Sequence, residues 1–320
     1  MIFNYKYQGL KQTRLGFGDA LVKIGENNDK IIALCADLTE SLCMTNFSKK
    51  FPKRFFQIGI AESNMIGIAS GLSINGYIPY TGTFANFSTS RVYDQIRQSV
   101  SYSNKNVKIC ASHSGISLGE DGATHQSLED IGLMKMLPGM TVINTCDYNQ
   151  TYEATIAISK YNGPVYLRFG RPEVANFTKK NSFKIGKALL LKEGKDVTII
   201  STGHLVWESI EAANFLLKEG IDCEVINIHT IKPLDEKFIL KSVLKTRCLI
   251  TAEEHNYIGG LGESIAGLLS KKLPTLQYFV AVNDMFGESG KPKELMKKYK
   301  ITTKDIIKKV NKIFKKKINK

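Results

Sequence analysis

The segment Ser112–Gln126, SHSGISLGEDGATHQ, gathers two of the chain's five histidines, two acids and three glycines into fifteen residues. Histidines of this kind can donate to hydroxyls or phosphate, or shuttle protons near neutral pH. Here the candidates are His113 and His125, with Asp121 able to accept from a sugar hydroxyl. Glycines let the backbone turn sharply and come close to a ligand. The plainer alternative is a turn-rich loop in which Asp121 or Thr124 caps a helix. Two histidines meeting in one glycine-rich loop favour chemistry over capping. No HxH or HxxxH spacing occurs, which argues against a metal centre.

A second candidate is Glu62, a lone acid heading the apolar stretch IGIAESNMIGIASGL (58–72). Such an acid can simply complement a helix dipole, at about 0.3–1 kcal/mol. It can also be a catalytic acid whose proton affinity is tuned by apolar surroundings. The stretch alone leaves both readings open. Phe84 and Phe87 follow GYIPY three residues apart and can stack on a flat heteroaromatic ring or simply pack in a core. Arg14, Ser41, His113 and Arg168 stand at expected strand and helix ends, where together they can form a phosphate pocket. The GxxxxGK[ST] and GxGxxG patterns are absent, which disfavours P-loop and dinucleotide chemistry.

Short β-branched runs and helical patterns must position these groups. Strands are expected at 31–36, 55–60, 77–81, 107–111, 141–145 and 164–168, with helices near 15–26, 62–74, 89–100, 127–136 and 148–159. The polar stretch GRPEVANFTKKNSFKIGKA interrupts the alternation. It resumes with strands at 196–202, 222–228, 247–252 and 275–281 and helices near 204–219, 235–244, 261–271, 291–298 and 302–316. The expectation is two α/β domains, 1–180 and 181–320, each built on a mostly parallel sheet with helices on both faces. The loop 112–126 then falls at the carboxyl edge of a sheet, where such folds place ligands.

The 320 residues are 43% hydrophobic, enough for two cores. No apolar run approaches the roughly 18–20 residues of a membrane span, and no secretory leader is evident. Six scattered cysteines suit reduced thiols, giving an expected cytoplasmic location. The net charge of +14 owes seven lysines to the last fifteen residues, and without them it is +7. Ile306, Ile307, Val310, Ile313 and Phe314 recur there at helical spacing, so a tail helix with a solvated lysine face is expected. Neither a nucleic-acid nor a membrane partner is expected.

Read in order, TRLGFGDAL, ADLTES, GIAESNM, TGTFANF, SHSGISLGEDGATHQSLEDI, YLRFGRP, VINIHTIKPLD and EEHNYIGGLGE resemble the C-terminal half of a transketolase over nearly the whole chain. GEDGATHQ after HSGIS is highly specific, whereas GIAES alone is weak. The resemblance implies a pyrimidine-binding domain for thiamine diphosphate followed by a smaller transketolase C-terminal domain. It implies transfer of a two-carbon ketol unit from a ketose phosphate to an aldose or aldose phosphate. Glu62 would hydrogen-bond N1′ of the aminopyrimidine, and Phe84 and Phe87 would contact that ring. His125 would touch the reacting oxygens of the donor and move protons, and Asp121 would read the C2 hydroxyl. Arg14, Ser41, His113 and Arg168 would hold the phosphate end.

Three departures qualify the match. The family's GDG…N diphosphate and metal motif is missing, and the sequence starts at the pyrimidine domain with Met1. A split enzyme is therefore expected, in which a separate N-terminal subunit supplies the diphosphate site and the Mg²⁺ ligands, in a heterotetramer or a larger dimer-based assembly. RVYDQIR is similar to deoxyxylulose-phosphate synthase and to the pyruvate dehydrogenase beta subunit. Ser90 stands where full-length transketolases often carry tyrosine, and Ala123 where proline is usual. The synthase usually has arginine at the position of His113, and the dehydrogenase subunit lacks the GEDGATHQ loop. A synthase-like or specialised-sugar ketol transferase subunit, or a partner subunit without catalysis, remain the alternatives.

Overall fold

The structure, a computed structural model, describes residues 4–318, so Met1 and Lys320 lie outside it. The strands are β1 (Leu10–Gln12), β2 (Ile31–Cys35), β3 (Phe55–Gln57), β4 (Ile78–Phe84), β5 (Lys108–Ser112), β6 (Thr141–Asn144), β7 (Val165–Arg168), β8 (Glu173–Ala175), β9 (Leu189–Lys192), β10 (Val197–Ser201), β11 (Cys223–Asn227), β12 (Thr230–Lys232), β13 (Cys248–Asn256) and β14 (Leu276–Val282). A seven-stranded sheet runs β12-β6-β7-β5-β4-β2-β3 and a five-stranded sheet β14-β13-β10-β11-β9. Both are parallel except at one edge, where β12 and β9 pair antiparallel. Central strands such as IIALC and KICAS are buried along their whole length. Strands covered on both faces favour apolar residues; the exception in KICAS, Lys108, is buried with its ammonium on the carbonyls of Tyr161 and Gly163 at 2.7 and 2.8 Å.

The main expected strands and helices are present, with ends shifted by a few residues. Helix Glu62–Ile74 matches its expectation; Met65, Ile66 and Ala69 bury in one core with Ile96, Val100 and Ile109, and Ser70 donates to the carbonyl of Ser99 at 2.6 Å. Two departures bear on the site. The expected helix 89–100 is broken: an α-helix Ala85–Thr89 gives way to a 3-10 turn Ser90–Val92, and a π-helical stretch closes at Ile96–Tyr102. This irregularity turns Arg91 toward Glu62, and such breaks in helical pairing are frequent at functional sites. Second, β12 lies beyond residue 180 yet joins the first sheet, pairing Thr230 with Ile143. The two sheets are therefore joined by more than the intervening chain.

The linking chain is tied down by Asp147. Its buried carboxylate caps helix Tyr148–Ser159 through Gln150 N at 2.8 Å and accepts from Phe177 N (2.8 Å) and Thr178 N (2.6 Å). The tail helix Thr303–Ile318 buries Ile306, Val310 and Ile313, while Lys309, Lys312 and Lys316 surround the Tyr278 ring. All six cysteines are free thiols. Among the described residues no helix is long and apolar enough to cross a membrane.

Candidate active site

β4 and β5 are parallel neighbours with Phe84 opposite Ser112, so both chains leave the sheet side by side at its carboxyl edge. That register brings the aromatic pair and the histidine loop together. The rings of Phe84 and Phe87 lie 5.9 Å apart and within 18° of parallel. His113 stacks on Phe84 at 3.9 Å, and His125 meets the Phe87 ring edgewise at 5.2 Å. Asn86 donates to the carbonyl of Thr124 at 2.7 Å, holding the loop over the aromatic turn.

Glu62 opens its helix beside this wall and is 4% exposed. Its burial agrees with the apolar run that follows it. Its charge environment differs from that expectation, because the Arg91 guanidinium bonds Glu62 Oε1 at 3.0 Å and lies over the Phe87 ring at 4.1 Å. A planar group thus already contacts both the ring and the carboxylate. That geometry is also what an aminopyrimidine would need, and on this ground the donor set fits the cofactor.

His113 takes a left-handed backbone conformation, φ +57°, and is buried with Nδ1 2.9 Å from Ser112 Oγ. Burial, together with the nearby Arg14 and Arg171 charges, pushes its pKa down to about 3. It is therefore neutral at physiological pH. His125 is half-buried, with Thr124 Oγ1 3.0 Å from Nδ1, and Asp121 is exposed at the loop tip. Arg14 donates from Nη1 to the carbonyl of Ser41 at 2.9 Å, which joins those two expected residues.

Arg168 corrects the sequence reading. It is the last residue of a central strand and is 2% exposed. Its guanidinium is committed to Asp130 at 2.7 and 3.3 Å, to Asn144 at 3.4 Å and to the carbonyl of Glu254 at 3.0 Å. Ligands in such folds bind outside the carboxyl ends of the strands, whereas this guanidinium is tied up inside. Arg171, three residues on, lies past the strand end: it is partly exposed, bonds the carbonyl of Leu118 at 2.9 Å and acts on His113. The signal was the second arginine of RFGRP, which follows the glycine two residues past the strand end. Arg91 and Arg171 are the groups that sequence reasoning missed. A separate groove of about 1080 Å³ between Lys11, Tyr148, Phe183 and Lys184 contains none of these residues.

The buried histidines make acid sensitivity a testable property. Burial pushes His229 and His255 down to about 4, as it does His113 to about 3. An unfolded histidine titrates near 6.5, so acidification protonates the unfolded chain first. Glu253, raised by burial to about 7, already holds a proton in the folded state across this range while the unfolded carboxylate does not, which offsets one of the three. Three less one leaves about two net protons favouring unfolding. Stability should fall as pH drops from 6.5 toward 4.5, by at most about 1.4 kcal/mol per pH unit per net proton. Thermal melts across this range test it, and an unchanged or rising midpoint would refute it.

The family described as transketolase, pyrimidine binding domain, matches residues 11–176, and that described as transketolase, C-terminal domain, matches residues 186–306. The chain is 40% identical to a putative transketolase C-terminal section of Methanocaldococcus jannaschii, over 95% of this chain and 96% of that one. It is 42% identical to a 6-deoxy-6-sulfo-D-fructose transketolase subunit of Clostridium sp., over 90% of each. A solved split-gene transketolase, in an inactive tetramer of beta subunits, superposes with a TM-score of 0.88 at 40% identity. The match covers 96% of this chain and 99% of that one.

Proposed function

This chain belongs to the transketolase family, and on that premise we propose that it is the C-terminal subunit of a split, thiamine diphosphate-dependent transketolase. One observation carries the reading: buried Glu62, the parallel Phe84 and Phe87 rings, His113 and His125 converge at one carboxyl sheet edge. The pyrimidine-binding domain spans about 1–180 and the C-terminal domain 181–320. A separate N-terminal subunit supplies the diphosphate site and the Mg²⁺ ligands, in a heterotetramer or larger dimer-based assembly in the cytoplasm. Relatives of matching extent, named as a C-terminal section and as a split-gene enzyme, support that division.

When bound, thiamine diphosphate supplies the electron sink that lets a carbon–carbon bond beside a carbonyl break and re-form. This chain's residues bind and move protons. Phe84 and Phe87 offer an aromatic wall to the pyrimidine, and Glu62 holds a proton at its ring nitrogen. His125 exchanges protons with the sugar oxygens through Nε2, while Thr124 engages Nδ1. Asp121 accepts from a sugar hydroxyl. Arg14, Ser41, neutral His113 and Arg171 receive the tetrahedral anion at the far end of a sugar phosphate, arginine forks suiting such oxygens.

A second reading changes only that anion. The Clostridium relative is named for a sulfo-sugar, and the same donors would bind a sulfonate. The test mixes this chain, the N-terminal subunit, thiamine diphosphate and Mg²⁺, then follows ketol transfer from xylulose 5-phosphate and from 6-deoxy-6-sulfo-fructose. Turnover by the mixture and none by this chain alone is expected. A mixture inactive on both donors, or activity in the isolated chain, would overturn the reading.

A further inference from the structure

The substrate loop 113–126 is held from its own domain by Asn86 at Thr124 and by Arg171 at Leu118. Its backbone also rests on the other domain. Glu254, in β13, is buried, and its Oε1 accepts from Ser117 N at 2.6 Å. Its Oε2 lies 3.4 Å from His204 Nδ1. The contact is close: a Cβ on Gly115, where φ is +77°, would lie 2.3 Å from Glu254 Oε1. Only glycine meets both the left-handed conformation and that approach. Arg168 donates to the carbonyl of the same glutamate while gripping Asp130, at the start of the helix that follows the loop.

A second hold comes from the segment after β14. Gln126 Nε2 donates to the carbonyl of Glu288 at 2.9 Å, and within the loop to those of Ile116 and Gly119 at 3.2 and 3.3 Å. Ser289 Oγ donates to the carbonyl of Glu120. The loop is thus held at 117, at 120 and at 126. These points bracket Asp121 and His125, neither of which itself touches the C-terminal domain in these contacts.

We propose that the C-terminal domain sets the geometry of sugar recognition, with Glu254 as a positioning residue that aims Asp121 and His125 by fixing the backbone of the substrate loop. The inference rests on the ketol-transfer reading of this loop. Glu254 touches no substrate in this account. Its carboxylate fixes Ser117, and the 287–289 segment fixes the far end. Small misplacements of reacting groups cost rate and binding steeply, which is why one buried acceptor can matter at a distance.

The test uses the assembled enzyme carrying Glu254→Ala, Glu254→Gln or Ser289→Ala, with hydrogen exchange measured on the isolated chain. Glu254→Ala should raise the sugar KM about tenfold or more, leave thiamine diphosphate affinity unchanged and speed exchange across 113–126 but not across 62–74. Glu254→Gln keeps an oxygen for Ser117 N and should recover most of the KM. Ser289→Ala, at the exposed rim, should shift KM and loop exchange in the same direction by less, and it decides the matter if Glu254→Ala does not fold. An unchanged sugar KM, or equal loss of sugar and cofactor binding, would overturn the proposal. If the wild-type assembly shows no ketol transfer, the functional reading fails, while loop exchange still reports whether the clamp exists.

Discussion

Glu62→Gln is expected to lower ketol transfer by the assembled enzyme about 10²–10⁴-fold, the range for removing a positioned acid or base. Glutamine keeps the size of the side chain and can still accept from Arg91, but it cannot give up or share an acidic proton. The complex should therefore assemble and bind cofactor while turnover collapses. The partly exposed Arg91 can turn to water when its partner loses charge. Steady-state kcat, with complex formation followed by size-exclusion chromatography, measures both halves of the claim. If Glu62 merely complements the helix dipole, the same change would cost about 0.3–1 kcal/mol of stability and leave kcat near wild type. That result would sink the proton role.

Asp130→Ala should produce the largest loss of stability, roughly 3–5 kcal/mol, because it strands the Arg168 guanidinium in the interior. Asp130 is fully buried and takes Arg168 at 2.7 Å and the Tyr166 hydroxyl at 2.6 Å. Burial works against its charge, yet Arg168 holds its pKa below the ordinary 3.8. A depressed carboxylate contributes stability that is present above its unfolded pKa and lost as pH falls through the folded one. The wild-type chain should thus have an acid limb below about pH 4 that the variant lacks. Replacing both partners with apolar residues, Asp130→Leu with Arg168→Met, should recover much of the loss, since no bare charge remains. Thermal midpoints of the three proteins decide it. A single variant as stable as wild type would show that the pair contributes nothing.

Much of the fold was legible because buried parallel strands favour apolar, β-branched runs. IIALC and VTIIS announce themselves through composition alone. Short edge strands carry no such signature. β1 and β8 are three residues each, and β12 leaves its own half of the chain to pair with β6. Their existence depends on which partner is within reach. The helix expected over 89–100 was broken for a similar reason: a local pattern describes an average face, whereas the turn at Ser90–Val92 delivers Arg91 to Glu62.

By itself the sequence determined the chemistry available: a glutamate heading an apolar helix, paired phenylalanines, a two-histidine glycine loop and arginines near strand ends. Motif order along the chain carried the family, and strand periodicity carried the α/β layers. Tertiary structure alone decided which charges remain free. Arg168 and Arg171 share five residues of sequence and read alike. One sits inside a central strand, where burial forces it onto Asp130; the other lies past the strand end, where the crevice opens. Likewise nothing local to EEHNYIGGLGE points to the loop more than a hundred residues earlier. Glu254 reaches Ser117 because two sheets pack together, and a contact between distant segments exists only once both are folded.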